Sequence, residues 1–291
     1  MEMVVLLQLW VSCYRIMLDS LLRVWSLNKE DVYFSRIVKA ILRRIIYVPQ
    51  VVMFYLPFGF YRRNRIKLKG FHNIHKGERC FIIANGPSLE HIDFSLLKKE
   101  HTIGMNRIYL LKDKIDFMPD YLCCIDEKSQ ILQFHQEYDN VETTCFFNFK
   151  LRKKFSRSVN QNFIIGKFSQ SFGSGLAKAF GNGKSVTYTA IQLAYFMGFS
   201  EVYIVGKDHN YNTAERAGTS IKSSGKEKNH FIPGYYKKGQ NWDAPDLAGE
   251  EKAYEIANKH FSENDRIIKD ATEDGNLEIF EKVKFTTLFE K

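Results

Sequence analysis

The densest run of chemically active side chains in the 291-residue chain begins at Gly206. It reads Gly-Lys-Asp-His-Asn-Tyr and follows an apolar stretch that is typical of a buried strand. Asp208, His209 and Tyr211 can each take up or release a proton, as general acid–base catalysis requires. Farther along the chain, His230 is the second histidine that we single out as a candidate base.

A turn-forming run, Asn85-Gly86-Pro87-Ser88, follows the first apolar stretch that predicts a strand. Gly86 permits a close approach of the backbone to a ligand, and Pro87 favours a turn. Ser88 can cap a following helix, whose free amide groups attract an anion. The same residue types are common in turns that have no function. The run therefore predicts either a plain turn or one wall of a nucleotide site.

Two more predicted strands end in polar residues, Asn106 and Asp126. Ligands of an open α/β sheet bind beyond the carboxyl ends of its strands, so we expect these side chains at one common edge. Ser185 closes a Gly-Lys-Ser run and is either a helix cap or part of the cleft wall. A P-loop is excluded because Lys178 stands where that motif needs glycine, and no G-x-G-x-x-G follows a strand.

After Gly70, short apolar runs alternate with amphipathic segments, which predicts an α/β, Rossmann-like domain. Continuously apolar strands favour a mainly parallel sheet with helices on both faces. The long connection between Asn210 and Leu247 combines basic and aromatic residues, which favours a lid over an anionic substrate. The predicted strands are Cys80–Ala84, Thr102–Met105, Tyr121–Ile125, Phe163–Ile165, Glu201–Gly206 and Ile267–Asp270, and the predicted helices are Thr187–Met197 and Gly249–Phe261.

The net charge of +9 is concentrated in residues 1–69, which carry 12 basic and 4 acidic residues, whereas residues 70–291 carry 30 and 29. Two apolar runs predict amphipathic helices on an anionic membrane surface, with Trp10, Trp25 and Tyr55 as anchors: Val4–Leu27, which Arg15 and Arg23 interrupt, and Ile45–Phe60, which arginines flank. We expect no signal peptide, and a helix that spans the membrane is the less favoured alternative. A homo-oligomer interface is the alternative use of this extension. No nucleic acid partner is expected, because the folded domain is nearly neutral.

The cysteines and the remaining histidines suggest no further site. Five cysteines without a C-x-x-C pair predict a reducing compartment and no structural zinc. The chain length and the 45% apolar content exclude a disordered or collagen-like protein. Four histidines are interpreted as surface residues, namely His72, His75, His91 and His101.

Several stretches of the chain together resemble the 6-hydroxymethylpterin diphosphokinase-like domain family. Their framework is also similar to that of bacterial sialyltransferases that use CMP-N-acetylneuraminic acid, which share the Asn-Gly-Pro-Ser-Leu turn and a Gly-x-Asp ending. The resemblance covers roughly residues 78–285. The stretches are Phe81–Leu89, Gly104–Arg107, Pro119–Asp126, Gly183–Phe199, Val202–His209, His230-Phe231, Pro245–Leu247 and Asp270–Thr272.

This resemblance implies a CMP-sugar site. Asn85, Ser88 and Asn106 would contact the nucleotide, and Asp126 would contact its ribose or base. The full set of predicted nucleotide-binding residues is Asn85, Gly86, Pro87, Ser88, Asn106, Asp126, Ser185 and Gly206.

The catalytic histidine of the family aligns with Gly234 in this chain, so the general base must be a different residue. His209 or His230 is the expected base, and Asp208 is the alternative. Tyr211 lies nearby as a donor for the departing phosphate. Because CMP is a good leaving group, no metal is required.

The predicted function is that of a membrane-associated glycosyltransferase at the cytoplasmic face of the inner membrane. It would move sialic acid or a related acidic sugar from a CMP donor to a lipid-linked or surface-glycan acceptor, such as lipopolysaccharide or capsule. One alternative is transfer of diphosphate from ATP to a pterin alcohol, with Mg²⁺ held by Asp126, Glu127 and Asp208. The other is a catalytically inactive membrane scaffold.

Overall fold

In the computed structural model the chain divides into two compact units, the first ending at Tyr61 and the second beginning at Arg62. The predicted helix Val4–Leu27, with Trp10 and Trp25, lies outside the described residues, so its membrane placement stays a prediction. The boundary predicted at residues 69 and 70 likewise stays a prediction. The described residues are 45, 47–167, 170–173, 175, 179–211, 213 and 215–290.

Residues 47–55 of the first unit form a helix with apolar side chains at its surface. Ile45 is 61% exposed, Val48 is 39% exposed and Val52 is 46% exposed. Spacings of three and four residues place these side chains on one helix face. Throughout the described ranges, no helix has the length and apolar character needed to cross a membrane.

An eight-stranded parallel sheet forms the centre of the second unit. Its central strands are buried along nearly their whole length, as their apolar sequences predict. The predicted α/β, Rossmann-like class is therefore confirmed. In chain order, the sheet strands are β1 Arg79–Ile83, β2 His101–Met105, β3 Tyr121–Cys124, β4 Thr144–Asn148, β5 Gln161–Ile164, β6 Glu201–Val205, β9 Ile267–Asp270 and β10 Glu281–Lys282, whereas β7 Ser220–Lys222 and β8 Asn241–Asp243 form a separate antiparallel hairpin.

The helices pack on this sheet and on one another. α4 contacts β1, β2 and β3, and α5 contacts α4 and β9. Ser185 begins α4 by accepting a hydrogen bond from the Thr187 N–H at 3.1 Å, and Gly198 ends it in the left-handed conformation, at a φ of 97°. The α-helices are α1 Gly59–Gly70, α2 Lys112–Ile115, α3 Leu132–Asp139, α4 Val186–Met197 and α5 Leu247–Ser262.

The order of the strands places a crevice beside β1. From β1 the chain proceeds outward through β2, β3, β4 and β5, and then returns to lay β6 on the other side of β1. Ligands of open α/β sheets bind at such a point, beyond the carboxyl ends of the two strands. We call this side of the sheet the carboxyl edge, and the opposite side the amino edge.

Three β-elements and the helices α1, α2 and α3 are absent from the sequence prediction. β4 and β10 extend the two sides of the sheet, and the hairpin of β7 and β8 lies within the long connection after β6. β4 is only five residues long and is flanked by polar residues, and β10 is two residues long. Segments this short give little periodicity from which a strand can be recognised.

Candidate functional site

The ends of β1 and β6 are joined by a compact set of hydrogen bonds. The Ser88 N–H donates to Asp208 Oδ1 at 3.0 Å, and the Ser88 hydroxyl donates to Asp208 Oδ2 at 2.9 Å. The Gly86 N–H donates to the Gly206 carbonyl at 2.8 Å. A Cβ atom on Gly86 would lie 1.6 Å from Asp208 Oδ2, so only glycine fits there. Both oxygens of Asp208 thus hold the turn after β1, which ends in the short 3-10 helix that Pro87 begins.

Two asparagines mark the carboxyl edge between β1 and β2. The Asn85 side-chain amide donates to the Met105 carbonyl at 2.9 Å and so links the ends of the two strands. Asn106, which follows Met105 in the chain, has a left-handed backbone with a φ of 49°. Its Oδ1 atom is buried and has no hydrogen-bond partner among the described residues. A buried acceptor without a partner is costly, and a bound ligand would satisfy it.

A buried ion pair lies beneath the end of β6. Lys207 Nζ donates to Glu250 Oε2 at 2.8 Å, and both side chains are buried. Burial lowers the pKa of Lys207, but Tyr254 and Glu250 outweigh that effect and hold the pKa well above its ordinary value. The Tyr254 hydroxyl lies 3.2 Å from Glu250 Oε2 and 3.0 Å from Ser185 Oγ. The network therefore connects β6, α5 and the first turn of α4.

His209 is buried at the same edge, in a left-handed backbone conformation with a φ of 53°. Its Nε2 atom lies 3.0 Å from Glu251 Oε1. An ionised carboxylate can accept a hydrogen bond but cannot donate one, so His209 is the donor in this contact. A neutral His209 that donates from Nε2 has its lone pair on Nδ1. That Nδ1 atom is buried, lies 3.9 Å from Glu250 Oε2, and has no hydrogen-bond partner in the described part of the chain.

Tyr211 is half-buried near the Lys207–Glu250 ion pair, with Lys207 Nζ 5.7 Å from the centroid of its ring. The Lys207 charge lowers the pKa of Tyr211, but burial together with Glu250 and Asp208 outweighs it and raises that pKa. Tyr211 therefore stays protonated at neutral pH and can donate its hydroxyl hydrogen.

The connection from residue 210 to residue 247, which we call the lid, contacts the carboxyl edge at several points. The Phe231 N–H donates to the Asn85 carbonyl at 2.8 Å, and the Arg107 N–H donates to the Tyr235 hydroxyl at 3.1 Å. The Gln130 side chain also donates to the Tyr236 hydroxyl. These bonds attach the lid to residues that follow β1, β2 and β3.

His230 lies in this lid with its ring stacked on Tyr235, at a centroid distance of 3.9 Å and an interplanar angle of 1°. Burial lowers the pKa of His230 to about 4. The imidazole is therefore neutral at neutral pH. A base with so low a pKa is also a weak proton acceptor.

Asp126 begins the single π-helical turn after β3 by accepting a hydrogen bond from the Ser129 N–H at 3.0 Å. Burial raises its pKa. Arg107, which follows β2, is also buried, with its guanidinium 3.9 Å from the Phe134 ring centroid and 2.9 Å from Glu137.

With this geometry established, comparison with known proteins assigns a family. The sequence model described as "6-hydroxymethylpterin diphosphokinase MptE-like" matches residues 61–214, more than half of the chain. The chain belongs to the MptE-like family. The resemblance inferred from the strand-end motifs is thereby confirmed.

Two solved structures are similar to this MptE-like chain. The Maf glycosyltransferase from Magnetospirillum magneticum AMB-1 has a TM-score of 0.45 and 15% identity over 84% of this chain, which spans only 42% of that protein. The sialyltransferase CstII from Campylobacter jejuni, solved in complex with a substrate analogue, cytidine-5'-monophosphate, has a TM-score of 0.43 and 16% identity, over 72% of this chain and 85% of that protein. Similarity at this level carries no conclusion about activity. No curated protein sequence matches the chain.

The alternative function, diphosphate transfer, would need Mg²⁺ bound by the carboxylates of Asp126, Glu127 and Asp208. In the structure, each of these carboxylates is bound to a different partner. Asp208 binds Ser88 with both oxygens, Asp126 accepts from Ser129, and Glu127 pairs with Lys150 at 2.6 Å. Mg²⁺ prefers oxygen ligands that converge on one point. Among the described residues, no converging group of three metal ligands includes Asp126, Glu127 or Asp208, so these three do not form one shared magnesium site.

The structure thus brings most of the predicted residues of this MptE-like chain to the carboxyl edge and adds others that we did not predict. Glu250 lies in the first turn of α5, after the cap residue Asp246, and Glu251 directly follows it. Acidic residues are common in the first turn of any helix, so the sequence carries no signal that they face Lys207 and His209. The added residues are Arg107, Lys207, Tyr235, Tyr236, Glu250, Glu251 and Tyr254.

Proposed function

We propose that this protein is a glycosyltransferase that moves an acidic sugar, sialic acid or a relative, from a CMP donor to a glycan or glycolipid acceptor. The observation that carries the proposal is the His209–Glu251 pair, which leaves the buried Nδ1 atom of His209 without a partner. Such a histidine is oriented as a general base.

In the proposed reaction, an acceptor hydroxyl oxygen attacks the anomeric carbon of the sugar. His209 Nδ1 takes the proton of that hydroxyl as the new carbon–oxygen bond forms. The bond from the anomeric carbon to the phosphate oxygen of CMP breaks, and its electron pair leaves with CMP. Tyr211 donates a hydrogen bond to the departing phosphate, whose negative charge increases in this step.

Asp208 has a positioning role in this proposal, because both of its oxygens already bind Ser88. The unsatisfied Oδ1 atom of Asn106 would accept a hydrogen bond from the nucleotide. His230 is less suited than His209 to be the base, since burial lowers its pKa to about 4.

A thermal-shift series tests the donor class. The protein, in mild detergent, is heated with CMP, CDP, UDP, GDP or ATP, each with and without Mg²⁺. A ligand that binds only the folded state, at 100 times its Kd, stabilises it by about 2.7 kcal/mol. We expect CMP to raise the melting temperature by a few degrees without Mg²⁺. No shift with CMP would contradict the proposal and favour the inactive scaffold if the other nucleotides also fail.

The family match favours a second candidate, the transfer of diphosphate from ATP to a pterin alcohol. This activity predicts a thermal shift with ATP and Mg²⁺ together and none with CMP. The same series therefore separates the two enzymes. Because each of the three candidate carboxylates is already bound to another partner, we place this function second.

Membrane association is the second part of the proposal. Ile45, Val48 and Val52 form an exposed apolar face, and the arginines Arg62 and Arg63 follow it in the sequence. An apolar helix face with nearby basic residues suits the surface of an anionic bilayer. Co-sedimentation tests this with vesicles of phosphatidylglycerol mixed with phosphatidylcholine, compared with phosphatidylcholine alone. The double change Val48→Asp and Val52→Asp should reduce binding to the anionic vesicles, and unchanged binding would contradict the role of this face.

A further inference from the structure

A second cluster of functional side chains lies at the amino edge of the sheet, away from the site described above. His75 lies in the turn before β1, Glu78 immediately precedes β1, and His101 begins β2. His75 Nδ1 is 2.7 Å from Glu78 Oε2, and His101 Nε2 is 3.0 Å from the same oxygen. The three atoms all lie within 4.8 Å of one another.

Two imidazole nitrogens and one carboxylate oxygen are a ligand set that Zn²⁺ takes in proteins. Metal–ligand bonds of about 2.0–2.2 Å would replace the present hydrogen bonds after small side-chain rotations. In the part of the chain that the structure describes, no other group of histidine, cysteine or acidic side chains converges in this way.

Each of the two imidazole rings also has an oxygen atom on the side away from Glu78. His75 Nε2 is 2.7 Å from the Tyr121 hydroxyl, within hydrogen-bonding distance, whereas His101 Nδ1 is 4.0 Å from Asp120 Oδ2, which is too far for a hydrogen bond. Metal-bound histidines almost always donate their second N–H to an oxygen of this kind, which fixes the tautomer and the ring. Asp120 is itself held by the Thr102 N–H at 2.8 Å.

The His75 ring is already oriented before any ion binds. It stacks on Phe199 with a centroid distance of 4.6 Å and an interplanar angle of 12°. The backbone of the turn is held by α4, because the His75 N–H donates to the Met197 carbonyl at 2.9 Å and the Gly77 N–H donates to the Gly198 carbonyl at 3.1 Å. A preorganised ligand loses less freedom when it binds an ion.

We propose that His75, Glu78 and His101 bind a divalent transition-metal ion, for which Zn²⁺ is the best fit, and that water fills the fourth position. The site lies at the end of the sheet opposite to the candidate active site. Its role is to fasten the turn before β1 to the start of β2, so the ion stabilises the fold and takes no part in sugar transfer. This inference does not depend on the proposed function.

Isothermal titration calorimetry on the full chain without a histidine tag, after treatment with a chelator, tests this site. We expect one Zn²⁺ per chain, a higher melting temperature with Zn²⁺, and with Co²⁺ the strong visible absorption of a four-coordinate ion. Glu78→Gln and His101→Ala should each weaken Zn²⁺ binding more than about tenfold, and Tyr121→Phe should weaken it by about tenfold. His91→Ala, which changes an exposed histidine outside the cluster, is the matched control.

Each outcome decides the question. Glu78→Gln preserves the side-chain volume, and its melting temperature without metal shows whether the variant is folded. If the folded Glu78→Gln and His101→Ala variants bind Zn²⁺ as the unchanged protein does, the ion is held elsewhere and the proposal is wrong. Absence of stoichiometric Zn²⁺ binding to the unchanged protein would overturn it equally.

Discussion

Polar side chains at the two edges of the parallel sheet differ in whether their buried atoms have hydrogen-bond partners. At the carboxyl edge, Asn106 Oδ1 and His209 Nδ1 are buried without partners in the described residues, and both residues have left-handed backbones. At the amino edge, both ring nitrogens of His75 have partners, Glu78 and Tyr121. Unsatisfied buried atoms and unusual backbone angles are typical of sites that a large ligand completes. Converging, partly exposed ligands suit a small ion.

The largest expected effect is on catalysis at the carboxyl edge. His209→Asn keeps a residue that tolerates the left-handed backbone but removes the proposed base. Transfer from a CMP-sugar should fall by about 10²–10⁴-fold, the usual contribution of a general base. CMP binding, measured by calorimetry, should change little.

His91→Asn, which removes the imidazole of an exposed histidine outside the candidate active site, is the control. Glu251→Gln should lower the rate by less than His209→Asn, because it removes only the group that orients the ring. A His209→Asn enzyme with undiminished transfer would assign the base to another residue, and His230 would be the next to change.

The ion pairs of the two edges should differ in their effect on stability. Lys207→Met leaves the buried Glu250 carboxylate unpaired, so the free energy of unfolding should fall by about 3–5 kcal/mol. At the amino edge, Glu100→Gln weakens the partly exposed pair with Arg79, at 2.6 Å, and should cost about 1 kcal/mol or less. Urea unfolding measures both. Adding Glu250→Gln to Lys207→Met should recover part of the loss, and equal losses at the two edges would refute the comparison.

The lid should weaken as the pH falls. The pKa of His230 is about 4 in the fold and about 6.5 when the ring is free, so the unfolded state binds the proton first. This contribution to stability is complete above pH 6.5 and decreases as the pH falls from 6.5 to 4, by up to about 3 kcal/mol. His230→Phe keeps the stacked ring and should flatten that part of the pH profile of urea unfolding. Parallel profiles for the two proteins would mean that His230 titrates normally.

The last comparison concerns two glycines, one in the turn after β1 and one at the end of α1. Gly86→Ala places a Cβ atom 1.6 Å from Asp208 Oδ2 and 2.6 Å from the Gly206 carbonyl, so it should cost about 1–3 kcal/mol and weaken CMP binding. Gly70→Ala, at the end of α1, meets no atom within 4 Å and serves as the matched control, with little change expected. Urea unfolding of both variants gives the two costs, and a Gly86→Ala protein as stable as Gly70→Ala would show that the turn after β1 is not tightly packed.

The sequence by itself determined the fold class and the position of the main strands. Apolar runs such as Phe81–Ile83 and Val202–Val205 are recognisable because burial on both faces requires every residue to be apolar. Polar residues directly after those strands then have to lie at the carboxyl edge, since parallel strands end on the same side. The motifs at Asn85 and Asp208 also carried the family resemblance that the MptE-like match confirmed.

Only the tertiary structure decided which of these side chains meet. Ser88 and Asp208 are 120 residues apart in the chain, and they bond because β6 lies beside β1. The pairing of β1 with β2 likewise brings His101 to Glu78, although the sequence predicted only a surface histidine at position 101. A local pattern records how one segment is buried, whereas the pairing of distant segments depends on the order of strands in the whole sheet, which no local pattern contains.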